Sequence, residues 1–182
     1  MCISDKPSIR IEPMTERTLP GAKALVDSIF PRQGPGERGF FWAWQRRDRR
    51  LARMLMRLFG VEDLGVFWVA LDDADRVVGT AGLYRNRKDA GEALWLSWFT
   101  VSPDVRGQGL GGRLLDLAIV QARASGARYL RLYTGSDPIM AKAQDVYESR
   151  GLHVYKKINL LVTHIIYRQL ALRTASVAGE AQ

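Results

Sequence analysis

Hydrophobic positions along this chain switch repeatedly between a period near two and a period near 3.6. Residues 8–13, Ser-Ile-Arg-Ile-Glu-Pro, alternate apolar and polar and predict a first strand. A helix is predicted next, with Thr15 as N-cap and a stripe through Leu19, Ala22, Leu25, Val26 and Ile29. After the Pro- and Gly-rich break at 31–39, one long helix is predicted over residues 39–59. Its apolar stripe runs from Phe40 and Trp44 through Leu51 and Met54 to Leu58, and Gly60 is its stop. Period two then returns at 65–73 and 77–85, a hairpin closed by a short polar turn. Residues 93–101 are apolar on both faces, as a central strand is. A helix from Leu110 to Gly126 and a strand over 127–134 follow. Asp137, Pro138 and Gly151 mark the N-cap, first position and C-cap of a further helix. Two closing strands are predicted at 152–158 and 160–170, and residues 171–182 read as a flexible tail. With no repeat or linker, residues 1–170 make one α+β domain.

Composition narrows the classes. The 182 residues suffice for one sizeable core, and 47% hydrophobic with 25% charged is the balance of a soluble globular protein. No apolar run approaches the ~18 residues of a membrane span, so no membrane partner is expected. The first residues lack the pattern of a signal peptide. Cys2 is the one cysteine, which excludes an internal disulfide, and no Cys/His cluster suggests a metal. A reducing cytoplasm is the expected compartment. The net charge is +8, and 21 of 27 basic residues are Arg. That balance favours an anionic partner, whether nucleic acid, anionic lipid or a phosphorylated cofactor.

The chemistry concentrates after the central strand. Gly107, Gly109 and Gly112 fall in the frame G-x-G-x-x-G of dinucleotide sites. That reading demands a strand ending at the first glycine, repeated β-α units and an acid about 20 positions on. Here five residues intervene, the preceding strands look antiparallel, and Asp137 is too distant. A P-loop fails because Arg113 and Leu114 stand where Lys and Ser/Thr are needed. What survives is simpler. A glycine turn opening a helix, with Arg106 at its mouth, offers bare N–H groups and a positive dipole end to a diphosphate.

Three features in order then matter: Val101-Ser102-Pro103; Arg106-x-x-Gly109-x-Gly111; and Ala143-x-x-x-Tyr147-x-x-x-Gly151-Leu152. Over residues 92–152 the chain resembles the GNAT superfamily of acyl-CoA N-acyltransferases. It departs at Met140, where the family often has Asn, and at Leu152, where it has Phe. The resemblance implies a mixed, mostly antiparallel sheet of six or seven strands with splayed central strands and four flanking helices. It implies an N-acetyltransferase that moves acetyl from acetyl-CoA to a primary amine by direct attack in a ternary complex. The backbone of Gly107, Gln108, Gly109, Leu110, Gly111 and Gly112 would take the pyrophosphate. Phe99, Thr100 and Val101 would pair with the pantetheine arm. Arg106 stands at the mouth of that loop; Arg113, Lys142 and Arg150 are candidates for cofactor phosphates, with ordinary solvated helix charge as the alternative reading of each.

Tyr147 matches the tyrosine that protonates or orients the departing sulfur; the alternative is a buried aromatic that packs the helix on the sheet. Glu92 is the candidate base. It lies nine positions before Val101, so a bulge is needed to bring it into register. It is as readily a loop residue, and a water chain is the alternative base. His153 and His164, on closing strands, are not nominated. The acceptor, a small-molecule or peptide amine, would enter between the N-terminal helices, the fourth strand and the last hairpin, where Phe41, Trp44, Trp95 and Trp98 are candidates for its walls. Arg46, Arg50, Arg53 and Arg57 form a basic stripe on helix 39–59, with Arg47 falling on the apolar side. That stripe supports the rival reading, a non-catalytic GNAT-fold module that binds CoA or a partner. Nucleic acid is disfavoured, for no aromatic-interleaved RNA motif or helix-turn-helix is present. A homodimer is left open.

Overall fold

The computed structural model describes residues 8–31, 33–137, 140–159 and 164–172. A meander opens the sheet: β1 (Arg10–Pro13), β2 (Val61–Leu71), β3 (Val77–Asn86) and β4 (Ala93–Val101), each antiparallel to the next. β5 (Tyr129–Gly135) runs parallel to β4, and β6 (His153–Asn159) and β7 (His164–Ala171) close the sheet in the order β1-β2-β3-β4-β5-β7-β6. The seven strands fit the expected fold. β7 runs to Ala171, one residue past the expected domain end, and Leu172 is buried with its N–H on Arg128 O. The rest of the expected tail lies outside the described residues.

Each face of the sheet carries its own core. On one face α4 (Leu110–Ala124) and α5 (Ala141–Ser149) pack against the strands. There Leu110, Leu114 and Leu115 meet Leu94, Leu96 and Leu130. On the other, α1 (Leu19–Ile29) and α2 (Pro35–Gln45) set Val26, Phe40 and Trp44 on Phe67, Val69 and Leu71. Burying a large apolar side chain of this kind contributes roughly 1.5–3 kcal/mol. Among the described residues no helix is long and apolar enough to cross a membrane.

Helix boundaries differ from expectation in three places. α1 starts at Leu19 because Thr18 Oγ1 accepts the Thr15 N–H, which turns the chain before the helix rather than inside it. The helix expected over 39–59 is two helices, α2 and α3 (Arg50–Leu58), parted by a turn at 46–49, so five helices flank the sheet among the described residues. The bond from Arg49 N–H to Arg46 O makes the turn. The break also explains Arg47. It lies beyond α2, with its guanidinium 4.1 Å from the Trp44 ring and Nη1 on Trp44 O. The expected stripe is buried only in its α2 half; Leu51, Met54 and Leu58 on α3 are exposed at 61%, 56% and 73%. Finally, α5 begins at Ala141 with Met140 as N-cap, leaving Asp137 in the loop before it; Pro138 lies outside the described residues.

Candidate functional site

β4 and β5 are paired only at Ala93–Trp95 with Tyr129–Arg131; beyond that the two parallel strands separate. A bulge in β4 sits at the point of separation. Ser97 pairs with Gly82 and Thr100 with Thr80, so Trp98 and Phe99 together oppose Ala81. Trp98 adopts φ +49°, a conformation that costs a bulky L-residue about 1–2 kcal/mol. Two things hold it there. Thr80 Oγ1 donates to Trp98 O at 2.5 Å and meets Thr100 Oγ1 at 2.6 Å, both threonines being buried. The indole itself is wedged against Phe40 and Phe41, with centroids 5.6 and 5.4 Å away. Gly82 leaves room for Phe67 beside the bulge, where an added Cβ would lie 1.8 Å from Phe67 Cε1.

At the end of β4 the chain turns through a short 3₁₀ segment, Pro103–Val105, into the glycine loop. Gly107 and Gly109 take φ +78° and +79°, and Gly109 is the N-cap of the 15-residue α4. No side chain caps that helix, so the amides of Leu110, Gly111 and Gly112 open toward the loop with no partner inside the helix. A backbone nest at the positive end of a helix suits an anion of the size of a diphosphate. Arg106, exposed, fixes its base by donating Nε to Val101 O at 3.1 Å. Of the other candidates for phosphate, Lys142 is exposed in the first turn of α5, whereas Arg113 Nη2 donates to Ile9 O. Arg150 is engaged by the Asp116 carboxylate through Nε and Nη2 at 3.0 and 3.1 Å.

Tyr147 on α5 packs its ring 5.4 Å from Phe99, next to the bulge. Burial pushes its phenol well above the ordinary value, an effect that Arg168 partly offsets. Arg168 is itself buried on β7, with Nη1 on Leu152 O, Nε on Gln144 Oε1 and Nη2 on Glu148 Oε1. The bonds to Gln144 and Glu148 tie the tyrosine helix to the sheet, and the one to Leu152 holds the segment that follows it.

A cavity of about 520 Å³ lies between these parts. Its lining includes Leu132, Thr134 and Tyr147, Trp98 and Phe99 at the bulge, and Phe40, Met56 and Phe59. Of the four aromatics expected around the acceptor, Trp98 alone lines it. Phe41 and Trp44 are buried behind it, and Trp95 Nε1 donates to both Asp89 carboxylate oxygens, at 2.9 and 3.0 Å.

Glu92 does not reach the cavity. It precedes β4, its backbone O accepts from Arg128 and Tyr129, and its Oε2 is 3.3 Å from Arg131 Nη1. The same guanidinium holds Asp89 at 2.6 Å. The bulge at Trp98 and Phe99 does lie between Glu92 and Val101, as the register shift requires, but the Glu92 carboxylate is held by Arg131 and is not among the residues that line the cavity. Thr80, Arg168 and Asp137 were missed as site residues by the sequence reading. Only Asp137 carried a signal, an acidic residue at a strand exit, which was absorbed by the expected N-cap.

The arrangement is a nest for a diphosphate, a slot between parted parallel strands, and a protonated phenol beside it. A family model described as the acetyltransferase (GNAT) family matches residues 28–152. The chain belongs to the GNAT acetyltransferase family. Other GNAT proteins of known structure share the fold at low identity. An acetyltransferase of the GNAT family from Staphylococcus aureus Mu50 is 17% identical, covers 91% of this chain and 100% of its own, and superposes with a TM-score of 0.69. The ribosomal-protein-S18-alanine N-acetyltransferase of Escherichia coli is 17% identical over 96% of this chain and 100% of its own, at 0.68. A GNAT family N-acetyltransferase from Escherichia coli in complex with CoA is 17% identical over 95% of this chain and 86% of its own, at 0.63. No functionally curated sequence matches.

Proposed function

We propose that this GNAT protein transfers acetyl from acetyl-CoA to the nitrogen of a primary amine in a ternary complex. The observation that carries the reading is the parting of β4 from β5 at the Trp98–Phe99 bulge, between the glycine nest and Tyr147. Bound there, acetyl-CoA supplies an activated acyl group that an amine takes by direct attack, releasing the thiol. The amides at 107–112 hold the pyrophosphate, helped by Arg106, with Arg113 and Lys142 as outer charges. Phe99, Thr100 and Val101 offer the edge of β4 to the pantetheine arm. Tyr147, kept neutral by burial, donates a hydrogen bond to the sulfur as charge develops on it. Glu92 is not assigned the base, since it is tied to Arg131 outside the cavity.

Thermal unfolding with acetyl-CoA is the first test. A ligand at 100 times its Kd stabilises by about 2.7 kcal/mol, or roughly 5–11 °C for a chain of this size. Gly109→Val and Gly111→Val are expected to abolish the shift. Thiol release across an amine panel then reports turnover; no shift with acetyl-CoA sinks the reading. A second reading, a CoA-binding module that engages a partner, rests on α3, where exposed Leu51, Met54 and Leu58 run beside Arg50, Arg53 and Arg57. A thermal shift without amine-dependent thiol release selects it.

A further inference from the structure

The cavity's lining says what kind of amine it takes, and this inference rests on the acetyltransferase reading above. Among the described residues that line it, Asp137 is the one carboxylate and none is Lys, Arg or His. Its placement follows from the pleat of β5. Leu132 and Thr134 point to the α4–α5 face, whereas Tyr133 and Gly135 share the opposite face. A Cβ placed on Gly135 would lie 3.0 Å from Asp137 Oδ2, so the carboxylate sits over that opposite face, in the space a side chain at 135 would take. That is the face where α1 and α2 lie. The other acids nearby are spent, since Asp89 and Glu92 share Arg131.

Two further oxygens in the cavity wall are unused. Gln33 donates Nε2 to Asp27 Oδ1 at 3.0 Å, which leaves its Oε1 with no hydrogen-bond partner among the described residues; Ser97 Oγ, at the bulge, is in the same position. An orphaned buried polar atom is costly unless a ligand completes it. An ammonium carries three N–H donors. Apart from Asn86 and Thr134, the remaining wall is mostly apolar or aromatic, with Phe30, Phe40, Met56, Phe59, Tyr84 and Trp98.

We propose that the acceptor is a monocationic primary amine on an apolar or aromatic body, its ammonium received by Asp137; it gives one proton to water to become the attacking amine, and the second leaves with the departing thiolate to form the thiol. A polyamine or aminoglycoside brings further cations that find no second carboxylate and face a chain of net charge +8. A free amino acid brings a carboxylate that finds no cation in the lining.

The test is steady-state turnover of the full chain at saturating acetyl-CoA. The panel is 2-phenylethylamine, tryptamine, spermidine, L-lysine and a peptide with an N-terminal alanine. The arylalkylamines are expected to exceed the others at least tenfold in kcat/KM. Asp137→Asn is expected to raise their KM about 10- to 100-fold, the worth of a charge-assisted bond. Asp137→Glu should recover part of that, and the thermal shift with acetyl-CoA should stay unchanged in both variants. Preference for spermidine, lysine or the peptide overturns the inference, as does a KM within threefold of wild type in Asp137→Asn. Stabilisation by acetyl-CoA with no turnover of any amine overturns the enzyme reading and this inference together.

Discussion

Removing one hydroxyl, in Thr80→Val, tests how the bulge is held. The change is nearly isosteric, yet it strips the Trp98 carbonyl of its donor at 2.5 Å and Thr100 Oγ1 of its partner at 2.6 Å. Both threonines are at most 4% exposed, so water does not readily replace either bond. Leaving a buried polar group unpaired costs about 1–3 kcal/mol, so two such groups cost about 2–6 kcal/mol. For a chain of this length that is a fall in Tm of roughly 4–24 °C. The left-handed conformation of Trp98 already costs about 1–2 kcal/mol, so the lost bonds are of the size needed to let the bulge relax. Turnover should therefore fall more steeply than the folded fraction, and exchange of the Phe99 amide should accelerate. Thr80→Ser keeps the hydroxyl and gives up a methyl, at about 1 kcal/mol. The double variant Thr80→Val with Thr100→Val removes one of the two orphans and should regain about 1 kcal/mol. Thermal and urea denaturation of the four proteins measure this. Equal stability of the Val and Ser variants would refute the hydroxyl as the bulge's support.

Other perturbations probe the neighbouring parts. Gly82→Ala drives a methyl into the Phe67 ring and should lower stability by about 1–3 kcal/mol by denaturation; pairing it with Phe67→Leu should recover part of the loss. Tyr147→Phe should slow turnover while the thermal shift with acetyl-CoA persists, and unchanged turnover would remove the phenol from the chemistry. Tyr84, like Tyr147, is held by burial well above its ordinary value near 10. Above pH 10 the unfolded chain loses these protons while the folded one keeps them, so stability should fall as pH rises past 10, less steeply in Tyr84→Phe, as followed by Tm against pH.

The parts legible in sequence were those that depend on local order. The glycine turn, the strand before it and the tyrosine helix after it are each defined within a few residues, and their succession identified the family. The helix break at 46–49 was hidden because Arg46, Arg47, Asp48 and Arg49 include no glycine or proline, and apolar spacing runs on through it. That spacing marks a buried face in α2 and an exposed one in α3, a distinction made by the sheet and not by the helix. The bulge was illegible because its cause is a contact between Thr80 and Trp98 across two strands. Glu92 and Asp137 exchanged expectations for the same kind of reason. Glu92 met Arg131 from a parallel strand, and Asp137 was left in a loop by a helix that starts three residues late.

The insertion of β7 between β5 and β6 bears on how the protein emerges from the ribosome. Past Arg131, β5 has left β4, and its strand partner over Leu132–Gly135 is β7. One wall of the cavity therefore waits for residues 164–171, as does the Arg168 anchor of the tyrosine helix. At ~5–20 residues per second those residues are synthesised roughly 2–7 s after β5. During that interval β1 to β4 and α4 can already pack, while β5 presents an open edge. A nascent chain stalled in this window has its diphosphate nest and no finished slot, and it is the stage at which edge-to-edge misassembly is most exposed.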